Sequence, residues 1–173
     1  MILVQIQKQD IGLARLGNEN GWRYLMKEQL VEQMKVVLAD SFAFYLKAHQ
    51  FHWNVEGPDF PQYHDFLQNL YTEVFVAVDK VAEEIRALGE YAPGSFTRFR
   101  ELSNIRDNTG APSAAEMFNE LLGDNQIILS TLKNAYTLAE QYDEIGLSNF
   151  LQDRYDAHKK HNWMISSILK RRQ

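Results

Sequence analysis

The sequence predicts an all-α protein, a four-helix bundle with a short extra helix in the long connection between helices two and three. Three observations carry this. Four long stretches repeat apolar residues every three or four positions, which lines one face of a helix. The outer gaps between them are short and the middle one long, so each outer pair runs antiparallel. A length of 173 residues, with 45% hydrophobic and 12% aromatic content, suits one domain with a real core.

Residues 1–21 read as an N-terminal arm. Lys8 and Arg15 balance Asp10 and Glu19, and Gly12, Gly17 and Gly21 loosen the segment, so it is no basic nucleic-acid tail. The bundle domain is expected over 22–173. From Trp22, the positions Leu30, Met34, Leu38, Phe42, Tyr45, His49 and His52 form one stripe, which Gly57-Pro58 stops. A second helix is expected over about 59–88, with Phe60, Leu67, Leu70, Val74, Val78, Val81, Ile85 and Leu88 apolar and Gly89 at the C-terminal cap. The segment from Tyr91-Ala92-Pro93-Gly94 to Gly110-Ala111-Pro112 leaves room for one short helix, near Thr97–Leu102. Ser113-Ala114-Ala115-Glu116 is a capping box that opens a third long helix to about Tyr142. A fourth covers about 147–170.

Composition removes several functions. Without cysteine there is no disulfide, thiolate nucleophile, zinc-finger cage or ordinary iron–sulfur cluster. Any metal must then be held by nitrogen and oxygen. A formal charge of -5 disfavours simple coating of nucleic acid, which runs on Lys and Arg. No apolar run approaches the ~18 residues that span a bilayer, so no membrane partner is expected. Met1-Ile2-Leu3-Val4 is broken at once by Gln5, Gln7 and Lys8 and does not read as a signal peptide. A soluble, cytoplasmic protein is the expectation.

Chemistry is left to five histidines and their carboxylate neighbours. His52 ends the first helix, His64 lies early in the second, and Asp79 and Glu83 share a face of that helix at i, i+4. Taken singly, such a carboxylate pair is most often solvated surface and each histidine a hydrogen-bonded core residue. Spacing sharpens the choice. His64 and Asp79 are separated by fifteen positions of one helix, roughly 22 Å, so they cannot reach one ion within a chain. If the four residues form one site, it lies between two-fold-related subunits. No Glu-x-x-His occurs, which argues against an intrachain di-iron centre. His158-x-x-His161, flanked by Lys159 and Lys160, reads as a solvated helix face rather than a metal site.

The run Lys47-Ala48-His49-Gln50-Phe51-His52-Trp53-Asn54-Val55-Glu56-Gly57-Pro58 is specific. It continues through His64, Asp79, Glu83 and Arg86-Ala87-Leu88-Gly89 to Pro112-Ser113-Ala114-Ala115-Glu116 and His158-Lys159-Lys160-His161-Asn162-Trp163-Met164. From about residue 22 onward the chain resembles the Dps family, the ferritin-like miniferritins. The resemblance implies a homo-oligomeric shell of twelve subunits that oxidises Fe(II) with hydrogen peroxide or dioxygen and stores the ferric product. It also implies a non-haem iron site between subunits, with His52 and His64 from one chain and Asp79 and Glu83 from its mate. These four serve as both metal ligands and catalytic residues. Gln68 stands where the family usually has an Asp or Glu, so the second iron position is expected to bind more weakly; Asp65 is rotated about 100° around the helix and substitutes poorly. Trp53 matches a family position able to donate an electron, with packing against a neighbouring subunit as the other reading. His49 is expected to be a hydrogen-bonded interface residue. Glu144 and Asp153 match acids lining the pores by which iron enters, with Asn149 where another acid is common; solvated carboxylates are the alternative. The alternative function is a shell with a weakened iron centre that acts mainly as a DNA-binding or structural protein. Lys170-Arg171-Arg172-Gln173 is the only basic patch offered for DNA, and a solvated helix end is the favoured reading of it.

Overall fold

The computed structural model describes residues 19–170, and five helices fill them: α1 Glu19–Asn54, α2 Phe60–Ala87, α3 Phe96–Leu102, α4 Ala114–Tyr142 and α5 Ile145–Ile168. The predicted bundle is the observed one. Most of the arm, and the residues after Lys170, lie outside the described residues. Helix α1 begins at Glu19, three residues inside the segment read as arm.

Each helix ends for a local reason. The α1–α2 turn needs Gly57 at φ +122°, a conformation side chains rarely adopt, and Phe60 N–H closes the turn onto Gly57 O at 3.1 Å. Helix α2 ends in a Schellman motif: Gly89 at φ +88° donates to Arg86 O (2.9 Å), and Glu90 donates to Ile85 O (3.3 Å). Ser113 and Glu116 form the predicted capping box. The same C-terminal motif closes α4, where Asp143 takes the left-handed position at φ +67°. It donates to Glu140 O (3.2 Å), and Glu144 donates to Ala139 O (2.9 Å). A non-glycine residue there carries a backbone cost of about 1 kcal/mol.

Helix α1 packs along α2, α4 and α3, and α4 packs along α5. This explains a difference from the predicted stripe. Leu30, Met34 and Leu38 are fully buried, but the deepest face then passes through Phe44, Ala48 and Phe51, leaving Phe42, Tyr45 and His49 half-buried at its edge. A helix with neighbours on several sides buries more than one stripe. Phe60, expected in the α2 core, is exposed at the start of that helix.

Two buried polar groups on α1 tie it to its neighbours. Asp40 accepts from Ser103 Oγ (2.9 Å), Asn104 N–H (2.6 Å), Asn104 Nδ2 (3.2 Å) and Thr131 Oγ1 (2.8 Å), joining α1, the crossover and α4. Lys47 pairs with Asp124 at 2.6 Å. Burial raises the Asp124 carboxyl above its usual range despite that lysine. On the far side, α2 and α5 backbones scarcely approach, and side chains bridge the seam. Among the described residues, no helix is long and apolar enough to cross a membrane.

Candidate metal centre

The hairpin turn brings the last turn of α1 against the start of α2. His52 and His64 meet there, with ring centroids 3.7 Å apart. His52 Nδ1 lies 2.9 Å from the backbone carbonyl oxygen of His64. A carbonyl only accepts, so Nδ1 carries a proton, and in the neutral ring Nε2 is then the free lone pair. Ligating histidines are commonly oriented by such a bond on the other nitrogen. His49 stands alongside, stacked on Tyr71 at 4.0 Å and 20° and against Trp53 at 4.1 Å, with its Nδ1 3.4 Å from Tyr45 Oη. Burial, and then the neighbouring His52, holds its pKa below the ordinary histidine value.

Gln68 is exposed one turn beyond His64, and Asp79 and Glu83 are exposed further along α2. Among the described residues, no three His, Asp or Glu side chains gather where they could hold a metal. One chain thus presents a histidine pair and, about 22 Å along the same helix, a carboxylate pair. The hairpin also leaves Leu46, Trp53, Phe60, Phe75 and Val76 exposed, Trp53 at 61%. An apolar surface of this kind is suited to being covered.

Glu144 immediately precedes α5, makes no side-chain capping bond, and lines a cleft of about 240 Å³ together with Glu140, Asp143 and Asn149. Asp153 is exposed and does not line it. Glu140 and Asp143 went unnoticed in the sequence, where they look like the tail of α4; their acidity beside Glu144 was the available signal.

The solvated reading of His158 and His161 is corrected by the structure. They are 1% and 8% exposed, because the i, i+3 pair faces inward while Lys159 and Lys160 take the outer side of the turn. Arg154, one turn earlier, forms a bidentate pair with Glu73 of α2, through Nη1 to Oε1 and Nη2 to Oε2 at 3.2 Å. Its Nη2 also lies 3.3 Å from His158 Nε2, and His161 Nε2 lies 3.4 Å from Glu73 Oε2. Among the described residues, His161 Nδ1 is buried without a partner. Burial drives the His161 pKa down to about 4, against the opposing pull of Glu73, and sends His158 well below the usual range. For Glu73 burial acts upward, but the bond and charge of Arg154, with His161 and Lys160, hold it below the usual carboxylate value. This network was invisible in the sequence, since Glu73 and Arg154 are distant along the chain.

Comparison with known proteins adds to this geometry. The family model of the ferritin-like domain matches residues 28–173. "DNA protection during starvation protein 2" of Bacillus anthracis is 31% identical over 144 residues, covering 83% of this chain and 99% of that one. A "DNA protection during starvation protein" of Brevibacillus brevis is also 31% identical, with 83% and 99% covered. Among solved structures, Dps from Staphylococcus aureus superposes with a TM-score of 0.80 at 31% identity, covering 84% of this chain and 97% of its own.

Proposed function

Because the chain belongs to the ferritin-like family, and within it to the Dps miniferritins, we propose that it assembles into a closed cytoplasmic shell of twelve copies that oxidises and stores iron. Fe(II) is the substrate, and hydrogen peroxide, or dioxygen, the oxidant. The reading is carried by one observation. His52 and His64 present a preorganised imidazole pair beside exposed apolar residues, while the carboxylates that would complete a ligand set lie out of reach on the same chain. A second copy related by a two-fold axis supplies Asp79 and Glu83 to the first copy's histidines, and the reverse.

Each residue then has a task. His52 and His64 bind Fe(II) through neutral nitrogen; the carbonyl of His64 keeps His52 in the tautomer that leaves Nε2 free. Asp79 and Glu83 contribute anionic oxygen, which favours the harder ferric ion. Two Fe(II) ions give one electron each to peroxide, whose O–O bond breaks to two hydroxides. Consuming Fe(II) and peroxide together suppresses hydroxyl-radical formation, which fits relatives named for protection during starvation. The acids around Glu144 concentrate iron by electrostatic steering. The decisive experiment follows peroxide-driven Fe(II) oxidation by the assembled protein and by a His52→Ala, His64→Ala variant. We expect the variant to lose at least about 100-fold in rate; equal rates overturn the assignment.

Gln68 motivates a second reading, a shell with a weakened iron centre that mainly binds DNA. A gel shift titrated with salt tests it, and no shift at low salt removes DNA as a partner.

A further inference from the structure

The α2–α5 seam holds metal-ligating residue types that the outer face does not use. Glu73 of α2, Asn125 of α4 and Arg154, His158 and His161 of α5 meet there. Phe44 of α1 packs its ring 5.9 Å from that of His158, so all four long helices contribute. Bundles that carry a metal pair within one chain build it from inward Glu and His residues of facing helices, as here.

One of these histidines is already oriented as a ligand would be. Asn125 Nδ2 donates to the backbone carbonyl of His158 at 2.9 Å, which leaves Asn125 Oδ1 to accept the His158 Nδ1 proton at 2.7 Å. His158 Nε2 is therefore a lone pair fixed by its own partner. What faces it is Arg154 Nη2 at 3.3 Å, and the same guanidinium takes both oxygens of Glu73. One planar fork thus engages Glu73 and His158, while His161 Nε2 lies against Glu73 Oε2 instead. The fork brings a positive charge that no ordinary pH removes. A cavity of about 340 Å³ along the seam reaches two of these residues, Glu73 and His161, while His158 lies buried behind them.

We propose that Arg154 is a specificity-determining residue whose guanidinium keeps Glu73, His158 and His161, which form no metal-holding group with it in place, from closing around a metal, and so confines metal to the outer face. The confinement rests on the reading of His52 and His64 given above; the blocking by Arg154 does not. In this chain the bundle interior keeps a ligand set and holds it shut with a side chain.

Cobalt(II) alone is the probe, measured by equilibrium dialysis and visible ligand-field absorption on full-length protein carrying His52→Ala and His64→Ala. This background is expected to bind no Co(II) through the interior. Adding Arg154→Ala, or Arg154→Gln to preserve more of the volume, is expected to create one site per chain, at least 100-fold tighter than the background. A further Glu73→Gln change is expected to abolish it. Folded, assembled Arg154 variants that bind no more Co(II) than the background overturn the proposal. So does a background with Arg154 intact that binds Co(II) in a Glu73-dependent way, a result that needs no change at Arg154. Failure of the outer-site reading looks different: the His52→Ala, His64→Ala change alone would leave Glu73-independent Co(II) binding undiminished.

Discussion

The two histidine pairs of this chain have opposite fates. His52 and His64 sit where α1 meets α2, one fixed by a backbone carbonyl, with no cation among the partners found for either ring. His158 and His161 sit inside the bundle beside Arg154, one fixed by an asparagine. Burial does not separate them, since His52 and His161 are equally buried; neighbours do. An imidazole is an available ligand only when a partner holds one nitrogen and nothing positive claims the other. The inner pair ties helices together; the outer pair, with His52 buried and His64 half-buried at the hairpin, is the one that the proposed function assigns to metal.

That contrast breaks first at Glu73. Removing it with Glu73→Ala leaves a buried guanidinium uncompensated. We expect roughly 2–3 kcal/mol of destabilisation, below the value for a fully buried pair because Glu73 is 40% exposed. The measurement is denaturant unfolding of the assembled protein. His52→Ala should shift the same curve far less, and equal losses would erase the distinction between the pairs.

Acid acts on the inner pair next. His161 titrates at about 4 in the fold, below the ordinary 6.5, so the unfolded chain binds more protons between those values. The stability it contributes is present above about pH 6.5 and is lost as pH falls toward 4. His158 is lowered as well and acts in the same sense, while Glu73, held low, keeps its charge over most of that window. Unfolding free energy should decline by roughly 2–3 kcal/mol from pH 7 to pH 4 on this account, and His161→Gln should flatten the slope. An unchanged slope in that variant would remove His161 as the cause.

The outer pair is sharpened by Gln68→Asp, which restores a charge one turn from His64. Metal affinity at the histidine face should rise about tenfold by titration calorimetry, a gain of ~1.4 kcal/mol. A smaller effect is expected away from both pairs. Asp143→Gly relieves the left-handed backbone and should stabilise the fold by about 0.5–1 kcal/mol in thermal unfolding.

Much of this was legible beforehand. Heptad-like spacing, Gly57-Pro58 and the Ser113–Glu116 box marked the helices because helix faces and caps are local rules. His52 and His64 were legible because a short turn must bring them near one another. His158 and His161 were misread from their lysine neighbours, which lie about 100° away for each step around the helix. The ion pair beside them joins Arg154 to Glu73, 81 positions away, and no local pattern announces it. Asp143 was equally hidden: Gly146, three residues on, has the residue type suited to a positive φ, yet the turn uses the aspartate.

The bond from His52 Nδ1 to the His64 carbonyl also limits how the gene can vary. Donor and acceptor lie on different helices, joined only by the five residues 55–59. Inserting one residue into α2 between Phe60 and His64 would turn that histidine by about 100° and carry its carbonyl away. The exposed first turn of α2 is thus held to a fixed count by a single proton.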